Sequence, residues 1–302
     1  MTKLKTLIEA ARLRTLPLSV SGIIVGSAIA FAEGLFNPYI FVLALVTTVG
    51  FQVLSNFAND YGDGVKGTDN EDRVGPVRAL QSGIISAREM LYAMIVTTIL
   101  TMIVAIALIY TSFGGEQLLF SLLFFVLGLF AVAAAIKYTV GSSAYGYHGY
   151  GDLFVFIFFG LVSVIGSYFL YAKKMEWDVI LPAVSVGLLS VGVLNLNNMR
   201  DVQSDAKSNK NTMVVNLGIA KAKKYHTLII LVGLTTAVLF LVLNYQHWTN
   251  VIFIISFIPI ILHLKRVRSN EHEQLLDPEL KKLSLSTFLF AVLFLFSYNN
   301  FL

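Results

Sequence analysis

Nine stretches of this chain are each long and apolar enough to cross a bilayer, and no other feature narrows the possible folds as far. A spanning helix needs roughly 20 mainly apolar residues. Runs of that kind occupy about 15–33, 38–58, 89–112, 117–136, 152–172, 178–198, 225–243, 248–264 and 283–301. Only 13% of the 302 residues are charged, whereas soluble domains carry about 25%. The expected fold is therefore all-α, a polytopic membrane protein of nine transmembrane helices. No linker or low-complexity segment divides the chain, so residues 1–302 read as a single membrane domain. The first fourteen residues are polar and basic, with no cleavable signal peptide visible. There is no cysteine, which excludes disulfides and thiolate metal sites.

The charges alternate from one connection to the next. Basic residues crowd the N-terminus, the segment 59–88, Lys137, and the segments 199–224 and 265–282. Of the 22 Lys and Arg, only Lys173 and Lys174 fall on the opposite side of a nine-helix arrangement. The positive-inside rule then predicts a cytoplasmic N-terminus and cytoplasmic long loops, with the C-terminus outside, in the cell membrane. The same pattern accounts for the formal charge of +4 as a topology signal, so nucleic acid is not expected as a partner.

Two polar clusters interrupt this apolar pattern. "NFANDYGDG" closes the second run and places Asn56, Asn59, Asp60 and Asp63 at i, i+3, i+4 and i+7, one face of a helix. "NLNNMRDVQSDAKSNKNT" closes the sixth and places Asn197, Asp201 and Asp205 at intervals of four. Both lie on the predicted cytoplasmic side, so the chain reads as two related four-helix halves, helices 2–5 and 6–9, with helix 1 added. Carboxylates on one helical face repel each other unless a cation intervenes. With no cysteine and no paired histidine in the clusters, hard oxygen ligands suit Mg2+. Magnesium commonly takes one or two carboxylates and completes its shell with substrate phosphate oxygens. The pair of clusters therefore reads as a diphosphate site, with Arg73, Arg78, Arg200 and Lys210 available for the remaining oxygens.

These motifs resemble the UbiA superfamily of intramembrane aromatic prenyltransferases. Asn59-Asp60-Tyr61-Gly62-Asp63 is similar to the family's first acidic element, and Asp201 to Asp205 is similar to its second. "NFANDYGDGVKGTDNEDRVGPVRALQSG", "YGYHGYGDLFVFIFFG" and "NNMRDVQSDAKSNKNTMVVNLG" resemble one branch in particular, the polyprenyltransferases of menaquinone synthesis that act on 1,4-dihydroxy-2-naphthoate. Gly67 stands where the wider superfamily more often has a third aspartate, and Asn209 stands where the branch usually has glycine. The resemblance implies transfer of a polyprenyl group from an allylic diphosphate to an aromatic acid, with decarboxylation. It implies Asp60, Asp63, Asp201 and Asp205 as metal ligands, with Asn56, Asn59 and Asn197 orienting them. Arg73, Arg78, Arg200 and Lys210 would meet the diphosphate. Tyr138 is the expected catalytic ring stabilising the allylic cation, with Tyr61, Tyr145 and Tyr147 as further candidates. Lys137 and His148 are candidates for the acceptor's carboxylate. Asp152 is read by default as capping the start of the fifth helix, where the dipole favours an acidic residue.

Four alternatives remain at this point: an enzyme of the 4-hydroxybenzoate type, another lipid-diphosphate enzyme, a purely structural membrane protein, which would not need two acidic clusters, and an ion-coupled transporter. The last would hold its acids near the bilayer midplane, not at helix ends.

Overall fold

The computed structural model describes residues 2–68 and 77–299. Within them the chain is helical, because apolar backbone at membrane depth must satisfy its amides and carbonyls internally. Nine spanning helices follow in order. They are α1 (Leu16–Ala32), α2 (Pro38–Lys66), α3 (Ala87–Phe113), α4 (Leu118–Lys137), α5 (Gly151–Ala172), α6 (Ile180–Arg200), α7 (Ile219–Leu243), α8 (Trp248–Ser269) and α9 (Asp277–Tyr298). A short helix, Lys3–Ala10, precedes α1.

Several boundaries depart from the hydropathy reading, all in the same direction. α2 continues to Lys66 instead of ending near 58, α7 begins at Ile219, α8 reaches Ser269, and α9 begins at Asp277. Each extension is polar, and hydropathy stops counting where the lipid stops. The backbone has no reason to stop there. The extension of α2 matters most, because it makes the whole of the first motif helical. Gly67, at φ 72°, ends the helix, and the Thr68 amide returns to the Asp63 carbonyl at 3.0 Å. A left-handed residue is what this turn requires, and glycine meets it without strain.

α1 and α6 form the middle of the bundle, and α4 lies at its margin. In the most apolar stretch of α6, 67% of residues are buried against only 11% in α4, so α4 presents its surface to lipid. Between apolar helices there is little hydrophobic gain from association, and close backbone approach at small residues takes its place. Gly22 and Gly26 of α1 lie against Ser163 and Ser167 of α5, and Gly160 of α5 meets Ala183 and Gly187 of α6. Phe156–Ile165 of α5 is wound as a π-helix along this contact. A smaller apolar cluster holds the first motif in place. Ala10 and Ala11 from the N-terminal segment pack there with Leu54, Phe57 and Ala58 of α2, Ala79 and Ile85 of the following loop, and Met90 and Met94 of α3.

A Cβ added at Gly26 would stand 2.1 Å from Ser167 Oγ and 2.3 Å from the Val164 carbonyl oxygen. Gly26→Ala is expected to destabilise the protein by about 1–3 kcal/mol, the usual range for overpacking. Reversible unfolding in mixed micelles reads this directly, and an unchanged midpoint would refute the close α1–α5 contact.

Candidate active site

The two acidic motifs end α2 and α6 at the same end of the bundle, and a single ammonium joins them. Lys210 Nζ lies 3.5 Å from Asp205 Oδ1 and 3.9 Å from Asp63 Oδ2. All three side chains are buried. The turn that delivers Lys210 begins at Asp201. The helix Val202–Lys207 follows, Asn209 turns at φ 54°, and the Lys210 amide donates to the Asp205 carbonyl at 2.9 Å. The left-handed conformation explains why glycine suits position 209, and asparagine is among the residues that tolerate it.

Asp63 has a second partner. The Tyr147 hydroxyl donates to its Oδ1 at 2.7 Å and lies 2.6 Å from Thr68 Oγ1. Lys66 Nζ sits 3.8 Å from the Tyr147 ring centre and Lys210 Nζ at 5.5 Å, so two cations already lie over this ring. Asp60 is held by Arg12 and by Arg78 Nη1 at 2.6 Å, and the Ala79 amide donates to its Oδ2 at 3.3 Å. Asp201 is gripped at both oxygens by Arg200, Nε at 2.8 Å and Nη2 at 2.6 Å. Arg200 also reaches Asn197 Oδ1 at 2.9 Å and Asp277 Oδ1 at 2.5 Å. Every aspartate of the two motifs is thus paired with a cation from its own chain. Buried carboxylates demand such pairing, because an uncompensated charge in an apolar interior costs several kcal/mol.

Asn56 donates to the Ala11 carbonyl at 2.9 Å and to Thr15 Oγ1 at 3.3 Å, which ties the N-terminal segment to α2. Asn59 accepts a long contact from Thr139 Oγ1 at 3.4 Å. Tyr138 stands edge-on to Tyr145, with ring centres 5.4 Å apart, and Tyr145 stacks on Phe154 at 3.8 Å and donates to the Ala134 carbonyl. Lys137 is exposed at the end of α4 and forms no ion pair among the described residues. His148 lies in the loop before α5. The expectation for Asp152 needs correction. It lies in the first turn of α5, but its side chain is buried and accepts from the Tyr225 hydroxyl of α7 at 2.9 Å, so it joins two helices. Arg73 lies outside the described residues, as do Asp69, Glu71 and Asp72.

Electrostatics in the loops follow from burial. The Asp205 carboxyl is pushed up to about 6, first by burial; Lys210 opposes this, while Asp201 and Asp63 add to it. Burial alone would lower the Lys210 ammonium, but Asp63 and Asp205 outweigh it and hold it above the usual lysine value. Burial pushes the Tyr138 phenol up to about 12, with Lys210 pulling down and Asp63 and Asp205 raising it further.

Beside Asp60 opens a cavity of about 660 Å³. Its walls include Arg12 and Arg14 from the N-terminal segment, Arg78, Asn197 and Arg200, and Asp277 and Lys281 of α9. Guanidinium groups outnumber the acids there, as a polyanion would require. Among the described residues no three acids or histidines form a closed metal cage. The donor set nonetheless fits a hard divalent cation. It is all carboxylate and amide oxygen, and Asp63 and Asp205 are already gathered around one positive charge.

Sequence reasoning missed Arg12, Asp277 and Thr68. Arg12 lies 48 positions before Asp60 and Asp277 lies 77 after Arg200, and no spacing rule connects residues so far apart.

The two acidic helix ends meet at Lys210, and Asp60 of the first motif, with Asn197 and Arg200 of α6, lines a cavity rich in guanidinium groups within a nine-helix bundle. The comparisons assign it: residues 19–283 match the UbiA prenyltransferase family, and the chain belongs to that family. It is 41% identical to the 1,4-dihydroxy-2-naphthoate octaprenyltransferase of Haemophilus influenzae, over 97% of this chain and 95% of that one. It is 45% identical to the enzyme of the same name from Escherichia coli, over 77% of this chain and 75% of the other. Among solved structures, a UbiA homolog from Archaeoglobus fulgidus bound to GPP and Mg2+ aligns with a TM-score of 0.66 at 16% identity. That alignment covers 94% of this chain and 97% of the other, which establishes the fold.

The raised Asp205 carboxyl has a measurable consequence. Its value in the folded protein lies above the 3.8 of the unfolded chain, so the folded state binds the extra proton. Stability is then greater below that window and is lost as pH rises through it. In EDTA, lowering the pH from 7 to 5 is expected to stabilise the protein by about 1 kcal/mol relative to Asp205→Asn. Parallel unfolding curves that stay pH-independent would remove the assignment.

Proposed function

We propose that this chain transfers a polyprenyl group from an allylic prenyl diphosphate to 1,4-dihydroxy-2-naphthoate, with loss of the acceptor's carboxylate as CO2. The observation that carries the reading is the meeting of Asp63 and Asp205, from opposite halves, at one buried ammonium, with Asp60 of the same motif on the wall of a cationic cavity. The names of the similar enzymes, one of them matched over nearly its whole length, support the acceptor and the reaction class. Asp60, Asp63, Asp201 and Asp205 are the proposed holders of Mg2+. The ion supplies neutralisation of the diphosphate and of the charge that builds on it as the bond to the prenyl carbon breaks.

The chain's own residues do the rest. Arg78 and Lys210 reach the diphosphate oxygens, with Arg73 and Arg200 as further donors, and Asn56, Asn59 and Asn197 fix the acidic helix ends. Tyr147 holds Asp63 at one oxygen and leaves the other for exchange. Tyr138, with Tyr145 beside it, is the proposed ring stabilising the allylic cation, and ring stabilisation of a desolvated cation is worth roughly 2 kcal/mol. Phenols held protonated by burial keep their rings available without competing as nucleophiles. Lys137 is the proposed partner of the acceptor's carboxylate. The tail of the donor lies along the apolar bundle.

Purified protein supplied with Mg2+, 1,4-dihydroxy-2-naphthoate, 4-hydroxybenzoate and a set of prenyl diphosphates tests the reading by product analysis. A prenylated, decarboxylated naphthol is expected, and prenylated hydroxybenzoate alone would replace the acceptor. Asp60→Ala and Asp201→Ala should each lose turnover by at least about 100-fold, on the order expected for removing transition-state charge stabilisation. Near-normal rates would refute the metal assignment. In the same panel Arg78→Ala should raise the apparent KM for the donor.

The orientation is proposed from charge alone, with the N-terminus and the site cytoplasmic and the C-terminus outside. A reporter fused after residue 302 should be active only outside the cytoplasm, and a cytoplasmic signal would reverse the topology.

A further inference from the structure

Arg200 is engaged at all three of its guanidinium nitrogens. Its side chain is only 2% exposed. Nε and Nη2 form a fork on both oxygens of Asp201, Nη2 also reaches Asn197, and Nη1 reaches Asp277 at the start of α9. A carboxylate whose two oxygens are held by one guanidinium is poorly placed to ligate a metal. For Asp201 to serve a divalent cation, the fork has to open. The guanidinium then needs another anion, since a buried and unpaired one is strongly disfavoured.

Asp277 meets that need. It is an acid of neither motif, it already touches Arg200, and its 43% exposed side chain lies on the cavity wall with Asn197 and Arg200. We propose that Asp277 is a positioning residue that retains Arg200 when Asp201 exchanges the guanidinium for a divalent cation. The inference rests on the metal role given to Asp201 above. With Asp277 and Asn197 still bonded, Arg200 keeps a negative partner and stays in the cavity wall, facing the space where an anionic head group would sit. α9 is thereby coupled to metal loading, although it carries neither motif.

A purely structural account exists. Asp277 sits in the first turn of α9, where the helix dipole favours negative charge. The two accounts differ in whether Asp277 matters once Arg200 is gone.

The test is a titration with Mn2+ alone, followed by the electron paramagnetic resonance of the free ion. The full chain is held in zwitterionic nanodiscs without diphosphate. The site of interest is the one lost in Asp201→Asn. Asp277→Asn should raise its half-saturating Mn2+ concentration roughly tenfold, equivalent to about 1.4 kcal/mol. Asp277→Glu should largely restore it, and Arg200→Gln/Asp277→Asn should titrate like Arg200→Gln alone. An unchanged curve for Asp277→Asn, or an equal shift in the Arg200→Gln background, would overturn the exchange while leaving the metal site standing. Loss of no site in Asp201→Asn would overturn the metal reading of Asp201 and this inference with it. Should Asp277→Asn fail to fold, the pair of Arg200→Gln variants still decides, because any difference between them contradicts action through Arg200.

Discussion

Compensation of buried negative charge is the constraint on which this molecule turns. Four aspartates project from two helix ends into space closed by apolar helices, and each is buried. None is tolerable there alone. The chain answers with Lys210 between Asp63 and Asp205, Arg12 and Arg78 on Asp60, and Arg200 on Asp201. These contacts bind the N-terminal segment, both polar loops and the last helix into one cationic shell. A buried ion pair seldom adds net stability over an apolar pair of similar shape. Its retention here fits a site whose charges are meant to be exchanged with those of an incoming ligand.

The scaffold makes that exchange feasible by separating rigid and polar zones. α1, α5 and α6 are locked by glycine and serine contacts in which no side chain can be inserted. The acidic ends of α2 and α6 project beyond this zone. Their positions are set by the rigid helices, and their partners come from loops and termini. Asn56 illustrates the link, since its amide joins α2 to the segment carrying Arg12. The left-handed turns at Gly67 and Asn209 do the same for the two motifs, ending one helix below Asp63 and bringing Lys210 back over Asp205.

Much of this was legible in the chain. Nine apolar runs specify nine helices, because a bilayer admits no other use of twenty consecutive apolar residues in an all-helical bundle. The i, i+3, i+4, i+7 spacing of Asn56 to Asp63 specifies one face, and the even number of crossings between α2 and α6 puts both motifs at the same end. Hydropathy misjudged the helix ends at Lys66, Ile219 and Asp277, since it registers lipid contact and not hydrogen bonding. Asp152 was misread for a related reason. Its position at a helix start suggested a cap, but the tertiary partner Tyr225 claims the side chain.

The sequence by itself determined the number of spans, the side on which charge collects, and the two acidic faces, since each depends on periodicity or composition within a few turns of chain. Only the tertiary structure decided which cation neutralises which carboxylate. Arg12 with Asp60, Lys210 with Asp63, and Arg200 with Asp277 pair residues 48, 147 and 77 positions apart. Such pairings are chosen by how the rigid helices pack, and packing at small residues depends on contacts that no local pattern encodes.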